Sequence, residues 1–520
     1  MYYTFIDRMG VPEEIRNVKR PTNTVVIQYG KNKDKYAVKQ RIGCKSVNGR
    51  KIPIEGPVIG HIVNGEYVPK PTAPNIAMSD CDYKRWADVK FCVDNNKDVL
   101  EDLLAVYSMS DAYKVFTIAV LRAIDPDIND YELCSEYKET WLSEMYPDVA
   151  LSKNTVSDFL YDLGRTCSRI TKFMQIRTGK VSADHRLAVD GTLKSDESKV
   201  NTFSDYSRKA LKKGTKDISV IFAYDVDTGE PVCSKAYPGN QVDISVLEDF
   251  IRTNKVDRGI IVADKGFSYS AARKAFNERP DLHFLIPIKR DAEAIDKYKM
   301  YDYNSTLKEY PGLTCRKERM FDGKYLYSYH DARRASEEEV TWTKNNDDYD
   351  PLELNTLRKK FGSIVFISDV DMDLLTAYKA YEERWDLEVM FMFYKDILKF
   401  DQTRVHEDCS VIGTEFINFL SILMVCRMRK IFGGVDRLKG VPFNTVIKKL
   451  RRVSKIMGPD GQWAVRKITD KEQTLMTELG LFPKVVTVKN PRGRPKKEKE
   501  DKPKRPRGRP RKNSLPDQSV

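Results

Sequence analysis

Four polar residues stand at helical spacing in residues 373–400, a stretch rich in helix-forming residues that contains neither Gly nor Pro. Tyr381, Arg384, Glu388 and Lys395 occupy positions i, i+3, i+7 and i+14. On one long helix they would fall within an arc of roughly 60°. A solvated face with salt bridges is the ordinary interpretation of such a column. Many neighbouring residues are apolar, however, so the column needs partners, and phosphate with a metal ion would supply them.

The composition is that of a soluble globular protein with two to four domains, since the chain has 520 residues, 41% of them apolar and 32% charged. The longest apolar run, residues 416–426, is too short to span a bilayer. Residues 1–17 lack the basic and apolar regions of a secretory signal. The nine Cys include no C-x-x-C pair, and the five His lie far apart. These features argue against a zinc site and a disulfide framework, and they favour a reducing cytoplasm.

The net charge of +13 is concentrated near the C-terminus. Residues 484–512 contain 14 Lys and Arg against 3 Asp and Glu, which leaves only +2 for all other residues. The segment from 483 to 520 has almost no aliphatic residues, so we expect a disordered tail. A basic tail of this kind indicates a polyanionic partner.

The first 180 residues divide into two patterns. Residues 1–80 alternate apolar residues with turn signals, including two Asn-Gly pairs, and predict a small β-meander. This module could be structural, form an oligomer surface or contact DNA. Residues 81–180 have helical periodicity and form a candidate DNA-end-binding region, in which residues 151–160 resemble the second half of a helix-turn-helix with Ser152 as its cap. An ordinary capped amphipathic helix is the alternative.

Residues 181–435 have the pattern of a mixed α/β core, with antiparallel strands first and helical crossovers after. Residues 291–362 interrupt this order and are predicted to form a β-rich insertion, and residues 436–482 a C-terminal helical region. Strands are predicted at 185–190, 218–224, 231–237, 259–264, 283–288 and 363–368, and helices at 243–253, 268–277, 373–400 and 414–431.

Three carboxylates share an unusual setting. Asp190 and Asp264 each end an apolar strand, and Glu388 lies on the helix that follows the last strand. A charge there is costly unless the strand ends open into a site. Converging carboxylates suit hard cations such as Mg²⁺ or Mn²⁺, and two such ions could promote phosphodiester cleavage. Each residue alone could equally be a cap or turn residue.

The chain resembles the DDE transposases of the insertion-sequence-four superfamily, which have an RNase H-like catalytic core. Their signature around the glutamate is Y-(2)-R-(3)-E-(6)-K, and the four residues described first reproduce it without a gap. The sequences AVDGT at Asp190 and IIVADKGF at Asp264 resemble the two aspartate strands of the family. The resemblance covers residues 187–428, about half the chain, including a β-rich insertion before the glutamate.

The resemblance implies specific roles. Asp190, Asp264 and Glu388 would hold two Mg²⁺ or Mn²⁺ ions, while Tyr381, Arg384 and Lys395 would bind phosphates of the transposon end. The implied reaction is hydrolysis at the transposon end, followed by attack of the freed 3′-OH on target DNA. No covalent enzyme intermediate is required, and the protein would act as a homodimer associated with the bacterial nucleoid.

Three further residues are candidate DNA contacts. Relatives commonly form a DNA hairpin and stack an aromatic residue on a flipped base, and Trp342 in the insertion is the candidate for this role. A core or surface Trp is the ordinary alternative. Lys265 and Lys289 could contact DNA, although lysines beside acidic sites are common.

The tail carries a separate signal, two copies of the pentapeptide PRGRP at 491–495 and 506–510, which resemble AT-hooks. Gly allows close approach to a narrow minor groove, and the flanking Arg follow the negative potential of A·T tracts. A generic basic tail is the alternative. The residues predicted to bind DNA here are Arg492, Gly493, Arg494, Arg507, Gly508 and Arg509.

Two other functions are compatible with the sequence. One is a protein that binds A·T-rich DNA and has lost catalysis, and the other is an RNase H-like nuclease without strand transfer. The complete signature argues against the first.

Overall fold

The computed structural model describes residues 11–29, 35–47, 50–70, 82–196, 198–207, 214–241, 243–264, 269–346 and 348–483. The strands are β1 Thr24–Tyr29, β2 Lys35–Val47, β3 Arg50–Val63, β4 Glu66–Pro69, β5 Tyr83–Arg85, β6 Arg186–Ser195, β7 Asp205–Tyr206, β8 Lys216–Asp225, β9 Glu230–Pro238, β10 Arg258–Ala263, β11 Asp281–Pro287, β12 Ser305–Thr306, β13 Leu313–Arg319, β14 Tyr325–Asp331, β15 Ser363–Ser368, β16 Ser454–Met457 and β17 Trp463–Val465.

The helices are α1 Glu13–Arg16, α2 Ala87–Asp94, α3 Lys97–Leu104, α4 Met109–Ile124, α5 Leu133–Glu139, α6 Leu142–Met145, α7 Lys153–Arg165, α8 Cys167–Thr178, α9 Asp243–Asn254, α10 Tyr269–Asn277, α11 Glu293–Lys297, α12 Ala332–Asn345, α13 Pro351–Arg358, α14 Leu374–Glu383, α15 Trp385–Met392, α16 Asp408–Gly433, α17 Phe443–Arg451 and α18 Asp470–Glu478. A π-helical turn, Phe393–Ile397, follows α15 directly.

The chain divides into two compact units, and the smaller consists of Met1–Tyr83 with Lys455–Val465. Its sheet has the order β1-β2-β3-β4, with antiparallel pairing throughout. Asn64 and Gly65 form the turn between β3 and β4 with φ of 51° and 79°, the conformation for which Asn-Gly is favoured. The other Asn-Gly pair lies outside the described residues. The small core consists of Val11, Val26, Val38 and Ile62.

The larger unit is built on a ten-stranded mixed sheet. Its central part has the order β9-β8-β6-β10-β11, in which β6, β10 and β11 are parallel to one another and β8 runs antiparallel to its neighbours β6 and β9. This arrangement is RNase H-like, as predicted. The crossover helices α9 and α10 follow β9 and β10 in the chain. Their sequences are amphipathic, and an amphipathic helix in this position packs its apolar face against the sheet.

The first core strand continues past the point at which the sequence predicted its end. Asp190 lies in the middle of β6, since residues from Gly191 to Ser195 pair with β8 in unbroken register. The prediction that Asp190 ends a strand is therefore wrong. The continuation carries a charged residue, Lys194, whose side chain is only 1% exposed because it pairs with Glu415.

The segment from 291 to 362 is less rich in β-structure than predicted. It contributes β12, β13 and β14 to the main sheet, where β14 pairs with β15, but it also contains α11, α12 and α13. Helix α12 has few apolar residues and is stabilised by i,i+4 ion pairs, Arg333–Glu337 and Arg334–Glu338. Its helical signal is therefore charge spacing rather than apolar periodicity.

The C-terminal region, 436–482, is also not purely helical. Between α17 and α18 it contains a hairpin of β16 and β17, which pair antiparallel. Gly461, with a φ of 72°, and Gly458 close the turn through a hydrogen bond. The turn-forming sequence Gly-Pro-Asp-Gly explains the interruption.

The apolar helix α16 lies in the core of the larger unit. It is long and apolar enough to cross a membrane by length and composition alone, but 78% of that window is buried inside the protein. Helices α16 and α7 approach closely at two glycines. A Cβ on Gly413 would lie 2.0 Å from the Leu160 carbonyl oxygen, and one on Gly164 would lie 1.8 Å from that of Cys409.

Candidate active site

The predicted helix at 373–400 is a helical segment with two local irregularities. Asp373 caps α14 by accepting hydrogen bonds from the amides of Leu375 and Thr376, as its position before the apolar run favours. Arg384 separates α14 from α15 but keeps helical dihedral angles of −52° and −27°. Its irregularity is thus local, and the segment still presents Tyr381, Arg384 and Glu388 along one side.

Two carboxylates lie on neighbouring parallel strands. Ala263 pairs with Val189, so Asp264 directly after β10 and Asp190 in β6 are adjacent across the sheet. Asp190 accepts a hydrogen bond from the Gly191 amide at 2.7 Å, and its side chain is about one-fifth exposed. The carboxylate of Asp264 is about half exposed. The register of β6 and β10 therefore brings the two predicted carboxylates together.

Arg384 joins these two carboxylates to the third. Its guanidinium lies 3.4 Å from Asp190 Oδ2, 4.0 Å from Asp264 Oδ1 and 3.8 Å from Glu388 Oε1. The side chain is largely buried and stacks over the Tyr381 ring, 5.4 Å from its centroid. One cation thus lies among three carboxylates drawn from β6, the end of β10 and α15.

The charge balance of this cluster leaves excess negative charge. Burial raises the pKa of Asp190 to about 6, and the nearby charges of Glu388 and Asp264 add to the rise. The Gly191 amide and the Arg384 guanidinium act in the opposite direction. A carboxylate with this pKa is stabilised when further positive charge is supplied.

The cluster fits divalent cations by its donor chemistry. Its three carboxylates supply the oxygen ligands that Mg²⁺ and Mn²⁺ prefer. The Nε of Arg384 is buried with no hydrogen-bond partner, so the guanidinium is only partly satisfied where it lies. Within the part of the chain that is described, no three His, Cys, Asp or Glu side chains are close enough to hold an ion directly. Coordination would require the carboxylates to close around an ion in the region Arg384 now spans.

Lys395 lies in the π-helical turn that follows α15. Burial lowers its pKa, while the carboxylates of Asp396, Asp401 and others act in the opposite direction, Glu388 among them. The adjacent Tyr394 is fully buried and donates a hydrogen bond to Glu415. A π-helical turn is rare and commonly occurs at functional sites. The sequence spacing did not indicate it.

Trp342 lies on a different element from the residues of the Arg384 cluster. Trp342 lies on α12 and packs against Tyr349 and Phe361, with ring centroids 5.3 and 6.4 Å apart. Its role on a flipped base stays a prediction. Lys289 is exposed after β11. Lys265 and the six tail residues predicted to bind DNA lie outside the described residues.

A cavity of about 590 Å³ beside Arg384 was not predicted. Trp385, which is 66% exposed, lies at its edge. In the sequence, the only sign that Trp385 belongs to the site is that it follows Arg384. Other lining residues include Arg334, Tyr378 and Tyr381.

A comparison with known protein families matches the segment that contains the three carboxylates. Residues 182–412 match the family described as the transposase DDE domain, and this segment contains Asp190, Asp264 and Glu388. Over these residues the chain thus carries a transposase DDE domain, in agreement with the resemblance. Membership of the insertion-sequence-four superfamily and the AT-hooks stay predictions.

Among solved structures, the chain is similar to a piggyBac transposase synaptic complex with hairpin DNA, at 13% identity and a TM-score of 0.38, over 71% of this chain and 81% of that chain. It is also similar to a Mos1 transposase paired-end complex with the left transposon end, at 15% identity and a TM-score of 0.14, over 30% of this chain and 58% of that chain. A comparison with curated proteins finds no match.

Proposed function

We propose that this chain is a DNA transposase that cleaves DNA at transposon ends and transfers the freed 3′-OH to target DNA. One observation carries the proposal. Within the segment that matches a transposase DDE domain, the Arg384 guanidinium lies within 4.0 Å of carboxylates from three separate elements. Asp190, Asp264 and Glu388 are therefore proposed as the catalytic carboxylates.

These three residues would hold Mg²⁺ or Mn²⁺, as their oxygen donors and excess negative charge favour. Two bound ions would activate the attacking water or hydroxyl and stabilise the leaving oxygen of the phosphodiester. The protein itself positions the reacting groups. The strand register fixes Asp190 beside Asp264, and Arg384 lies within 4.0 Å of both and of Glu388 on α15.

Tyr381, Arg384 and Lys395 would bind the phosphates of the DNA end. Arg384 is a fork-shaped donor that suits phosphate oxygens, and its unpartnered Nε supports a further acceptor in the bound state. Lys395 is partly desolvated, which strengthens its attraction to an anion. Because water and the 3′-OH are the nucleophiles, no covalent intermediate with a Ser, Tyr or Cys is needed.

Glu388→Gln tests the proposed chemistry while keeping the shape of the side chain. We expect excision from a donor plasmid to fall at least about 100-fold, because a ligand carboxylate is lost. Glu383→Gln is the matched control, since Glu383 ends α14 and pairs with Arg186 rather than with the cluster. Unchanged excision by Glu388→Gln would sink the proposal.

Strand transfer separates a transposase from a nuclease with the same core. The purified protein is incubated with Mg²⁺ or Mn²⁺, a labelled DNA end bearing a 3′-OH and a target plasmid. Covalent joining of the label to the plasmid is expected. Cleavage without joining would favour the nuclease, and DNA binding without either reaction would favour a catalytically inactive protein that binds A·T-rich DNA.

The remaining partners follow from the same proposal. The tail residues Arg492, Gly493, Arg494, Arg507, Gly508 and Arg509 would bind the A·T minor groove. A homodimer would bring two transposon ends together, and the protein would associate with the nucleoid. Two weak tail sites on one chain would increase overall affinity through effective concentration.

A further inference from the structure

The central strands of the small unit are longer than the strands beside them. β1 pairs only with residues 35–40 of β2, and β4 pairs only with residues 60–63 of β3. Beyond these limits, residues 41–47 and 50–56 form strand pairs only with each other in the described sheet, and Arg41 at the base of the ribbon also exchanges hydrogen bonds with Asn23. The two segments form a two-stranded ribbon about 20 Å long, at roughly 3.3 Å per residue. A two-stranded ribbon is marginally stable by itself, so this one favours a partner.

The ribbon carries a net positive charge. Residues 41–47 and 50–56 contain four basic residues, Arg41, Lys45, Arg50 and Lys51, and one acidic residue, Glu55. The acidic residue of the ribbon, Glu55, is paired with Lys39 at 3.1 Å. Within the ribbon, backbone register places Lys45 opposite Ile52, and Lys51 opposite Ser46. The basic residues thus occur along both strands, as a polyanionic partner requires.

The shape of the ribbon agrees with its charge. Register shifts between Val38 and Gly43 break the regular pairing, and irregularities of this kind increase strand twist. Gly56 keeps the ribbon thin, since a Cβ there would lie 2.7 Å from Ile42 Cγ2 and 3.0 Å from the Gln40 carbonyl oxygen. The side chains of Ile42 and Ile54 are 65% and 39% exposed, leaving apolar contact area beside the charges.

We propose that the ribbon formed by residues 41–47 and 50–56 binds duplex DNA in the major groove. That groove is about 12 Å wide and admits a two-stranded β-ribbon, with basic residues on phosphates and apolar residues against base edges. The inference rests on the proposed function, which makes DNA the substrate. It adds a third contact to DNA, on a unit separate from the carboxylates and from the tail.

The first test removes charge from the ribbon in the full chain. The variant Lys45→Gln/Arg50→Gln/Lys51→Gln is titrated with a labelled G·C-rich duplex, which avoids a dominant contribution from the AT-hook-like motifs. Affinity should fall at least about tenfold. The slope of log K against log salt should become shallower by about 2.7, because each phosphate contact contributes about 0.9.

The matched control is Lys138→Gln/Lys467→Gln/Lys471→Gln, which removes the same charge from exposed positions elsewhere. It should shift the slope by less than one contact. Equal effects of the two triple variants, or no effect of the ribbon variant, would overturn the proposal. A change of oligomeric state in sedimentation with unchanged DNA affinity would also overturn it, because the ribbon would then be a protein interface.

A second test locates the ribbon on DNA without depending on affinity. Cys44 on β2 is exposed, and Cys167 on α8 is an exposed cysteine for comparison. A duplex with a thiol tethered to a major-groove base edge should form a disulfide that Cys44→Ser abolishes and Cys167→Ser does not. A cross-link unaffected by Cys44→Ser would contradict the proposed docking. Cleavage by the ribbon variant at saturating DNA should persist, whereas Glu388→Gln removes it, so the ribbon and the proposed chemistry fail separately.

Discussion

Asp190 and Asp227 are two aspartates of the larger unit with opposite pKa shifts. Burial raises the pKa of Asp190 to about 6. Burial acts on Asp227 in the same direction, but hydrogen bonds and charge from Arg186, at 2.6 Å, outweigh it and lower the pKa. A raised pKa means that the ionised form destabilises the folded state, while a lowered pKa means that it stabilises it.

Asp190→Asn should therefore stabilise the protein in EDTA at pH 7.5. Between pH 3.8 and about 6 the folded state holds a proton that the unfolded state has released, so unfolding free energy falls as pH rises. The shift corresponds to ~3 kcal/mol, an upper limit for the gain. The melting temperature is measured at pH 7.5 and pH 4, and the gain should vanish at the lower pH.

Asp227→Asn is the control of opposite sign. Its loss of the Arg186 interaction should lower the melting temperature at pH 7.5, with a smaller effect as pH falls and the native carboxylate is protonated. A destabilising Asp190→Asn variant at pH 7.5 would contradict the charge balance described for the cluster.

Only the part of the site that depends on the spacing of residues within one helix was predictable from the sequence. The column of Tyr381, Arg384 and Glu388 follows from helical geometry alone. The position of Arg384 among the carboxylates does not, because it depends on the pairing of Ala263 with Val189, residues far apart in sequence. Sequence therefore identifies the participants, while sheet register determines their contacts.

At the scale of elements, a buried cluster of polar side chains connects β6, α16 and the π-helical turn. Lys194 donates to Glu415, Tyr394 donates to the same carboxylate, and Asn418 donates to it at 3.1 Å. Lys194 and Asp190 lie on the same face of β6, four residues apart. This cluster thus links the strand that carries Asp190 to the turn that carries Lys395.

Glu415→Gln should destabilise the protein by about 3–5 kcal/mol, because the Lys194 ammonium would remain buried without a counter-charge. The double variant Lys194→Met/Glu415→Leu removes both charges and should cost much less. Urea denaturation of the two variants measures the difference. Equal losses would mean that packing, rather than the charge pair, dominates at this position.

Strand and helix positions were predictable where apolar periodicity was uninterrupted. Strand β15, Ser363–Ser368, lies at its predicted position because all six residues are buried. Strand β6 was cut short at Asp190, since the partner that allows Lys194 to be buried is 221 residues away. The helices of the insertion were missed for a related reason, because α12 is held by charge pairs and contains no buried residue.

At the scale of the whole molecule, two of the basic segments lie outside the segment that carries the three carboxylates. The carboxylates belong to the larger unit, while the ribbon belongs to the small unit and the basic tail follows residue 483. Such a distribution permits DNA to be held by surfaces that do not compete with cations for the carboxylates.

The tail can be tested for A·T recognition separately from its charge. Arg492→Gln/Arg494→Gln/Arg507→Gln/Arg509→Gln should weaken binding to all duplexes and reduce the salt slope by up to about 3.6. Gly493→Ala/Gly508→Ala keeps every charge but adds bulk where the backbone would enter the minor groove. The glycine variant should lose the preference for A·T-rich over G·C-rich duplexes and retain affinity for the latter. An unchanged preference would indicate a generic basic tail.

The close approach of α7 and α16 has a geometric consequence for DNA cleavage. At Gly164 and Gly413 the two backbones touch with no side chain between them, so α7 cannot slide or tilt without disrupting the core. The sequence predicts a DNA contact at residues 151–160, and DNA held there would lie at a constant distance from the carboxylates. The contact between the two helices would then fix the number of base pairs between the DNA sequence bound by α7 and the position at which the DNA is cleaved.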